Sequence, residues 1–417
     1  MKQALFSNKV YPQFDQNYNQ ESEDKILNFI DSLTFDNQRN HFNSFKKLIE
    51  SKFLKLLNNK VIIIGGTNGK GEVSGLLSYL FSRNSKAVAL WSSPHLMSIR
   101  ERYCINGKYI NYKSLENIIF NNSDISKELN YYEYLFYIFL LVIKDEDLDY
   151  LVLEVGVGGR LDVVNLFKPT LSIITNISRD HTKLLGNTYS KILNEKIKIS
   201  RPDSPLVTCI ESKYVNKLTK EYKPDSINLV TENYILLKDN YNIKNRILAQ
   251  FVFNLLTNNK VKQSRKLLLS QISEYSDVRI WGRQIVLKYK NKNLYFIGAH
   301  NLDGIRNVSK YIYNNNLHFS KCYYAFSQKS EADLINLNYS LFILEDRISM
   351  FNYCNVKRFK SLSDNEINKL VKNYECNIID ENIKENIIES NGADEENILF
   401  TGSYYFIGYI LSMLSSE

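Results

Sequence analysis

Four apolar residues in a row, Val61, Ile62, Ile63 and Ile64, run into a glycine-rich stretch, and a different periodicity begins beyond it. Val73, Leu76, Leu77, Leu80 and Phe81 recur at three- and four-residue spacing, on one face of a helix. The continuous run predicts a strand buried on both faces. Similar runs at 87–91, 150–155, 171–175 and 206–209 are separated by helical stretches. Apolar strands alternating with helices predict a parallel sheet covered on both sides. Residues 1 to about 57 read as amphipathic helix with charged faces. The run Tyr131 to Ile143 is apolar nearly all round but contains Glu133, and it is shorter than the ~20 residues of a membrane span. It predicts a buried core helix. In the second half, 294–297, 321–326, 341–344 and 398–400 read as short strands between helical segments.

A chain of 417 residues exceeds one ordinary core and predicts two domains. Hydrophobic residues at 44% and charged residues at 24% are a globular balance, which argues against disorder. The 53 Lys and Arg outweigh 45 Asp and Glu by +8. That excess suits phosphorylated or acidic small molecules and is too dilute for a nucleic-acid partner. Cys104, Cys209, Cys322, Cys354 and Cys376 are scattered and form no CxxC pair. Their spacing disfavours a disulfide framework or zinc site and suits a reducing cytoplasm. The opening MKQALFSNKVYPQF lacks a sustained apolar core, so no signal peptide is expected, and no membrane segment is either.

Gly66-Thr67-Asn68-Gly69-Lys70-Gly71 lies between predicted strand and helix. Glycines let successive N–H groups converge, the helix start adds its positive dipole end, and Lys70 supplies a cation for the outer phosphates. The stretch predicts a nucleoside-triphosphate site. A loop of this kind usually follows its lysine with a hydroxyl residue; here Gly71 and Glu72 follow. Glu72 can repel phosphate, bind the metal or face solvent, and the sequence leaves these open.

Further motifs follow: Ser92-Ser93-Pro94-His95-Leu96, then Arg100-Glu101-Arg102, then Leu153-Glu154-Val155-Gly156-Val157-Gly158-Gly159-Arg160-Leu161-Asp162. Asn176-Ile177-Ser178-Arg179-Asp180-His181-Thr182, Glu195-Lys196, Gly298-Ala299-His300-Asn301 and Thr401-Gly402-Ser403 complete the set. Most stand at carboxyl ends of predicted strands, where open α/β sheets bind ligands. In this order, over about residues 24 to 415, they resemble folylpolyglutamate synthase/dihydrofolate synthase, a branch of the Mur ligase family. The resemblance implies an α/β fold: a P-loop parallel-sheet ATPase domain over 1–285, then a smaller Rossmann-like α/β domain over 286–417. The join is expected at 284–292.

The resemblance also implies roles. Thr67, Asn68, Gly69, Lys70, Gly71, Glu72, Asn245 and Arg283 fall at nucleotide-binding positions. Ser93, Glu154 and His181 match the magnesium positions, with two Mg²⁺ ions and ATP as co-substrate. Lys196 matches a carbamylated lysine, with Lys191 and Lys198 as local rivals. Glu133, Arg160 and Asp162 fall in segments lining a pteridine pocket, though a helix cap is an equal reading of Glu133. His300 and Ser403 fall on the glutamate side, and Thr401-Gly402-Ser403 also reads as a strand-to-helix turn. Lys70, Lys196 and His300 are the catalytic candidates. The implied reaction joins L-glutamate to dihydropteroate or folates through an acyl phosphate, in a cytoplasmic monomer. Where the family has Asp-Gly-Ala-His-Asn-Pro, this chain has Ile297 first and Leu302 last, and the nucleotide set is incomplete. Another Mur-type amide ligase, or a binding homologue impaired by Glu72 and Ile297, are the rival readings.

Overall fold

The computed structural model describes residues 10–12, 19–33, 41–53, 56, 60–211, 214–215, 226–230, 234–236, 241–257, 263–281, 284–356, 361–380, 383, 385 and 396–415. They form two compact units, Tyr11–Val278 and Arg279–Glu417 with Val10.

The first unit is built on strands β1 (Lys60–Gly65), β2 (Val88–Trp91), β3 (Cys104–Ile105), β4 (Lys108–Tyr109), β5 (Tyr150–Glu154), β6 (Leu171–Ile174), β7 (Leu206–Thr208) and β8 (Ile227–Leu229). Their order is β4-β3-β2-β5-β1-β6-β7-β8. All neighbours are parallel except the hairpin β3–β4 and its pairing with β2. Val61 to Ile64 are fully buried, as a central strand covered on both faces requires.

Helices α1 (Gln20–Asp31), α2 (His41–Lys52), α3 (Lys70–Arg83), α4 (Tyr112–Asn121), α5 (Tyr131–Ile143), α6 (Tyr189–Ile197) and α7 (Tyr241–Thr257) accompany this sheet. The strand period of two sorts the faces. Tyr150 stacks on Phe81 of α3 at 3.9 Å, and Phe81 meets Phe253 of α7 at 5.5 Å. Trp91 turns to α5, 5.2 Å from Phe136 and 5.5 Å from Phe139. The apolar run 131–143 is thus the core helix its composition predicts.

The second unit carries β9 (Ile285–Tyr289), β10 (Lys292–Gly298), β11 (Lys321–Ala325), β12 (Phe351–Cys354), β13 (Cys376–Ile379) and β14 (Glu396–Gly402), ordered β9-β10-β14-β11-β12-β13. Only β9 is antiparallel. Helices α8 (Leu302–Asn314), α9 (Glu331–Phe342) and α10 (Tyr404–Ser415) belong to it.

Two expectations are corrected here. The run 341–344 is no strand, because Leu341 and Phe342 close α9, whose buried Leu334, Leu337 and Leu341 keep helical spacing. The stretch 284–292 is no join either; it forms β9 and the turn into β10, and the division between units falls after Val278. Of the helix expected over 1–57, α1 and α2 are described, and residues 1–9 lie outside the described set.

Candidate active site

The glycine loop leaves β1 and enters α3 as its sequence predicts. Gly66 has φ 139° and Gly69, the residue capping α3, has φ 84°, both in the region that side chains disfavour. A Cβ on Gly66 would lie 1.9 Å from Thr175 Oγ1, and one on Gly69 would lie 2.7 Å from Asn245 Oδ1. The loop therefore has walls made by the end of β6 and by α7.

Hydrogen bonds fix it there. Thr67 N–H donates to the Asn176 carbonyl at 2.9 Å, and Asn68 N–H to Asn176 Oδ1 at 2.7 Å. Thr175 Oγ1 donates to the Asn68 carbonyl at 2.7 Å, and Ser178 N–H to Thr67 Oγ1 at 3.0 Å. Lys70 Nζ curls back to the Thr67 carbonyl at 3.0 Å. Gly71 is buried in the first turn of α3.

Glu72 takes a course the sequence did not suggest. Its carboxylate accepts from Asn242 Nδ2 at 3.0 Å and from Asn245 Nδ2 at 2.6 Å, both on α7. Asn242 in turn accepts from Arg246 Nε at 2.8 Å, and Arg246 donates to the carbonyls of Tyr275 (2.8 Å) and Val278 (2.5 Å). Glu72 thus clamps α7 to the phosphate loop. Glu72→Ala removes two charge-assisted bonds and is expected to cost about 1–3 kcal/mol. Urea unfolding of the variant measures this, and an unchanged midpoint contradicts the clamp.

Lys196, in the last turn of α6, is 4% exposed and donates from Nζ to the Gly66 carbonyl at 2.8 Å. Burial, reinforced by the nearby Lys70, lowers its pKa to about 7, while Asp180 and Asp162 act the other way. The two lysines and two carboxylates therefore share one small region. Asp162 accepts from the N–H groups of Gly156 (2.9 Å), Val157 (3.3 Å) and Val164 (3.1 Å). Burial nevertheless pushes its pKa up to about 6. Arg160 Nε pairs with Glu195 at 3.1 Å, which ties the glycine turn after β5 to the residue preceding Lys196.

Of the expected metal set, Ser93 and Glu154 are brought together: Ser93 N–H donates to Glu154 Oε2 at 3.0 Å, and Glu154 is 2% exposed. His181 stands on the loop after β6 with φ 49°, half-exposed, its Nε2 4.0 Å from Asp180 Oδ2. Among the described residues, no three of His, Cys, Asp and Glu converge as a metal cluster. A buried carboxylate held by the backbone of a serine still fits Mg²⁺, which takes one or two protein oxygens together with substrate phosphates and water.

Glu133 is the helix cap of its alternative reading: Asn130 N–H donates to its Oε2 at 3.0 Å in a capping box that opens α5. Asn245 lies against the loop as expected, and Arg283 lies outside the described residues.

In the second unit, His300 and Ser403 follow the adjacent parallel strands β10 and β14. The His300 ring is 5.4 Å from Tyr404, next to Ser403. Ser403 Oγ is 2.8 Å from Ser327 Oγ and accepts from Tyr405 N–H at 3.3 Å, so the turn reading holds for it. Ile297, where the family pattern has a carboxylate, uses its carbonyl to accept from Thr401 Oγ1 at 2.8 Å. Sequence reasoning assigned no role to Thr175, Asn176, Ser178 or Asn242. The first three sit in or beside a motif it did find, whereas nothing marked Asn242.

Comparison with known proteins accords with this geometry. Residues 64–260, spanning the loop, Glu154, Lys196 and α7, match the family model of the Mur ligase middle domain. The dihydrofolate synthase/folylpolyglutamate synthase of Buchnera aphidicola subsp. Schizaphis graminum is 38% identical over 163 residues, 38% of this chain and 39% of that protein. A putative folylpolyglutamate synthase of Dictyostelium discoideum is 32% identical over 222 residues, 48% of this chain and 35% of that protein. The chain spans about two fifths of the length of the curated relatives it matches.

Among solved structures, Mycobacterium tuberculosis folylpolyglutamate synthase, complexed with ADP and AMPPCP, superposes with a TM-score of 0.77 at 18% identity, over 95% of this chain and 99% of that one. A bifunctional folylpolyglutamate synthase/dihydrofolate synthase with Mn, AMPPNP and L-glutamate bound gives 0.74 at 19% identity, over 94% and 98%. Residues 64–260 and the α/β unit after them thus have the fold of these synthases.

Proposed function

We propose that the protein is an ATP-dependent amide ligase that joins L-glutamate to dihydropteroate and to folates. A carboxylate does not condense with an amine unaided, because its leaving group is poor; phosphoryl transfer from ATP makes an acyl phosphate that the amine can attack. The protein's part is positioning and charge neutralisation. The phosphate loop and Lys70 receive the triphosphate. Ser93 and Glu154 would hold Mg²⁺, which neutralises phosphate charge when bound, and His181 is the further candidate ligand. Lys196, with a pKa near 7, has a large neutral fraction near pH 7. That form reacts with CO₂, so it is the candidate for carbamylation. Asp162 and Arg160 are assigned to the acid's side, His300 and Ser403 to the glutamate's, and Asn245 to the nucleotide's. The observation that carries the reading is the pairing of Lys70 and Lys196 around a glycine loop within a matched Mur ligase middle domain.

Relatives and structural neighbours add support, since their names and bound molecules are those of this reaction. No helix among the described residues is long and apolar enough to cross a membrane. The reading takes the protein as a cytoplasmic monomer acting on small molecules. The test is phosphate release with ATP, Mg²⁺ and L-glutamate, with dihydropteroate and tetrahydrofolate as parallel acceptors. Release that depends on either acid is expected. Ligand binding without release favours a binding homologue, and release only with other acids favours a different amide ligase.

A further inference from the structure

Arg102 closes a one-turn helix, Ile99–Arg102, behind the serine loop that follows β2. Its side chain is almost completely enclosed, with 4% exposure for the residue. Nε donates to His95 Nδ1 at 3.0 Å, and the guanidinium lies 5.7 Å from the Trp91 ring centre. Nη1 is buried with no hydrogen-bond partner, and no carboxylate pairs with Arg102 among the described residues. A guanidinium keeps its proton under all ordinary conditions, so this enclosed N–H calls for an acceptor.

His95 adds to the demand. Because its Nδ1 accepts from Arg102, its proton sits on Nε2. That Nε2–H is a second donor beside the guanidinium. Around these donors the walls are aromatic. Tyr132 accepts from Trp91 Nε1 at 3.2 Å, and Tyr103 lies 6.2 Å from Trp91. Donors among aromatic faces suit a flat heteroaromatic group bearing a carbonyl.

Position says which end of a substrate this would be. Arg102 lies over Trp91, the last residue of β2, and the strand order β2-β5-β1 sets that strand two spacings, about 10 Å, from the strand that delivers the phosphate loop. The reacting carboxylate must meet the terminal phosphate at that loop, so the group reaching Arg102 is the acid's far end. We infer that Arg102, aided by His95, is a specificity-determining residue that binds the ring carbonyl of the acid's pterin head. This rests on the proposed function, whose substrate it refines.

The experiment measures fluorescence quenching of two probes, a 4-oxo pterin and a 2,4-diaminopteridine, which presents a donor in place of the carbonyl. An ATP analogue is titrated in parallel with wild type, Arg102→Met and Arg102→Lys. Wild type is expected to prefer the oxo probe by about tenfold or more, as a site built around a substrate acceptor does. Arg102→Met should narrow that preference to within about twofold and leave nucleotide affinity intact, because among the described residues no hydrogen bond joins Arg102 to the phosphate loop. Arg102→Lys, which keeps the charge but loses the fork, should fall between, and it serves if the methionine variant fails to fold. A preference retained in the variants overturns the assignment of Arg102 alone. Wild type that binds the ATP analogue but neither pterin overturns the acid substrate proposed above, and this inference with it.

Discussion

Lys196→Ala is expected to abolish turnover, by on the order of a thousandfold or more, in a protein that still folds. The amine lies beside the charges of Lys70, Asp162 and Asp180, and it holds the Gly66 carbonyl at the mouth of the loop. Removing it leaves that carbonyl without its partner, a cost of about 1–3 kcal/mol, but it also removes a group that is hard to bury with a proton. Phosphate release measures turnover, and circular dichroism confirms folding. A near-normal rate contradicts the role given to this lysine.

The same residue makes stability depend on pH, with a definite sign. Its pKa is lowered from 10.5 to about 7 on folding, so between those values the unfolded chain holds more proton than the folded one. Stability contributed here therefore rises with pH across that window, and below about pH 7 both states are protonated and the slope vanishes. Lys196→Met should flatten the slope in urea unfolding; a slope that survives in the variant contradicts this assignment.

Gly66→Ala is the second large effect. The new methyl would meet Thr175 Oγ1 at 1.9 Å and the Thr175 backbone nitrogen at 3.1 Å, at a φ of 139°. A hydroxyl can rotate away, but the strand backbone behind it cannot, and the same hydroxyl is needed by the Asn68 carbonyl. The variant is expected to lose about 3 kcal/mol or more and to bind ATP analogues too weakly to detect by calorimetry. Wild-type affinity in Gly66→Ala would show that the loop has more room than its walls allow.

The parts of this fold that were legible in the sequence are those where one force acts alone. Val61 to Ile64 are apolar because both faces of β1 are covered, and the glycines after them are needed at positive φ. The run at 341–344 misled because four apolar residues suit the end of a helix as well as a strand. The evidence for helix lay upstream, in Leu334, Leu337 and a buried Asn338 bonded to the Tyr324 hydroxyl at 2.8 Å. Strands β12 and β13, with sequences FNYC and CNII, are short and partly polar, so tertiary pairing rather than local pattern makes them strands. For the candidate site, motif order singled out Lys70, Glu154 and Lys196. The clamp from Glu72 to Asn242 was not legible, because the partners lie 170 positions apart and asparagine is common in this chain.

Arg246 has a practical bearing on how the chain can be shortened. Its guanidinium, in a residue only 3% exposed, is capped by the Tyr275 and Val278 carbonyls. A truncation ending before those two residues would strand an enclosed cation, and the resulting fragment should come out of expression insoluble. One ending just past Val278 keeps both caps, and is the fragment to prepare when nucleotide titrations call for the first unit by itself.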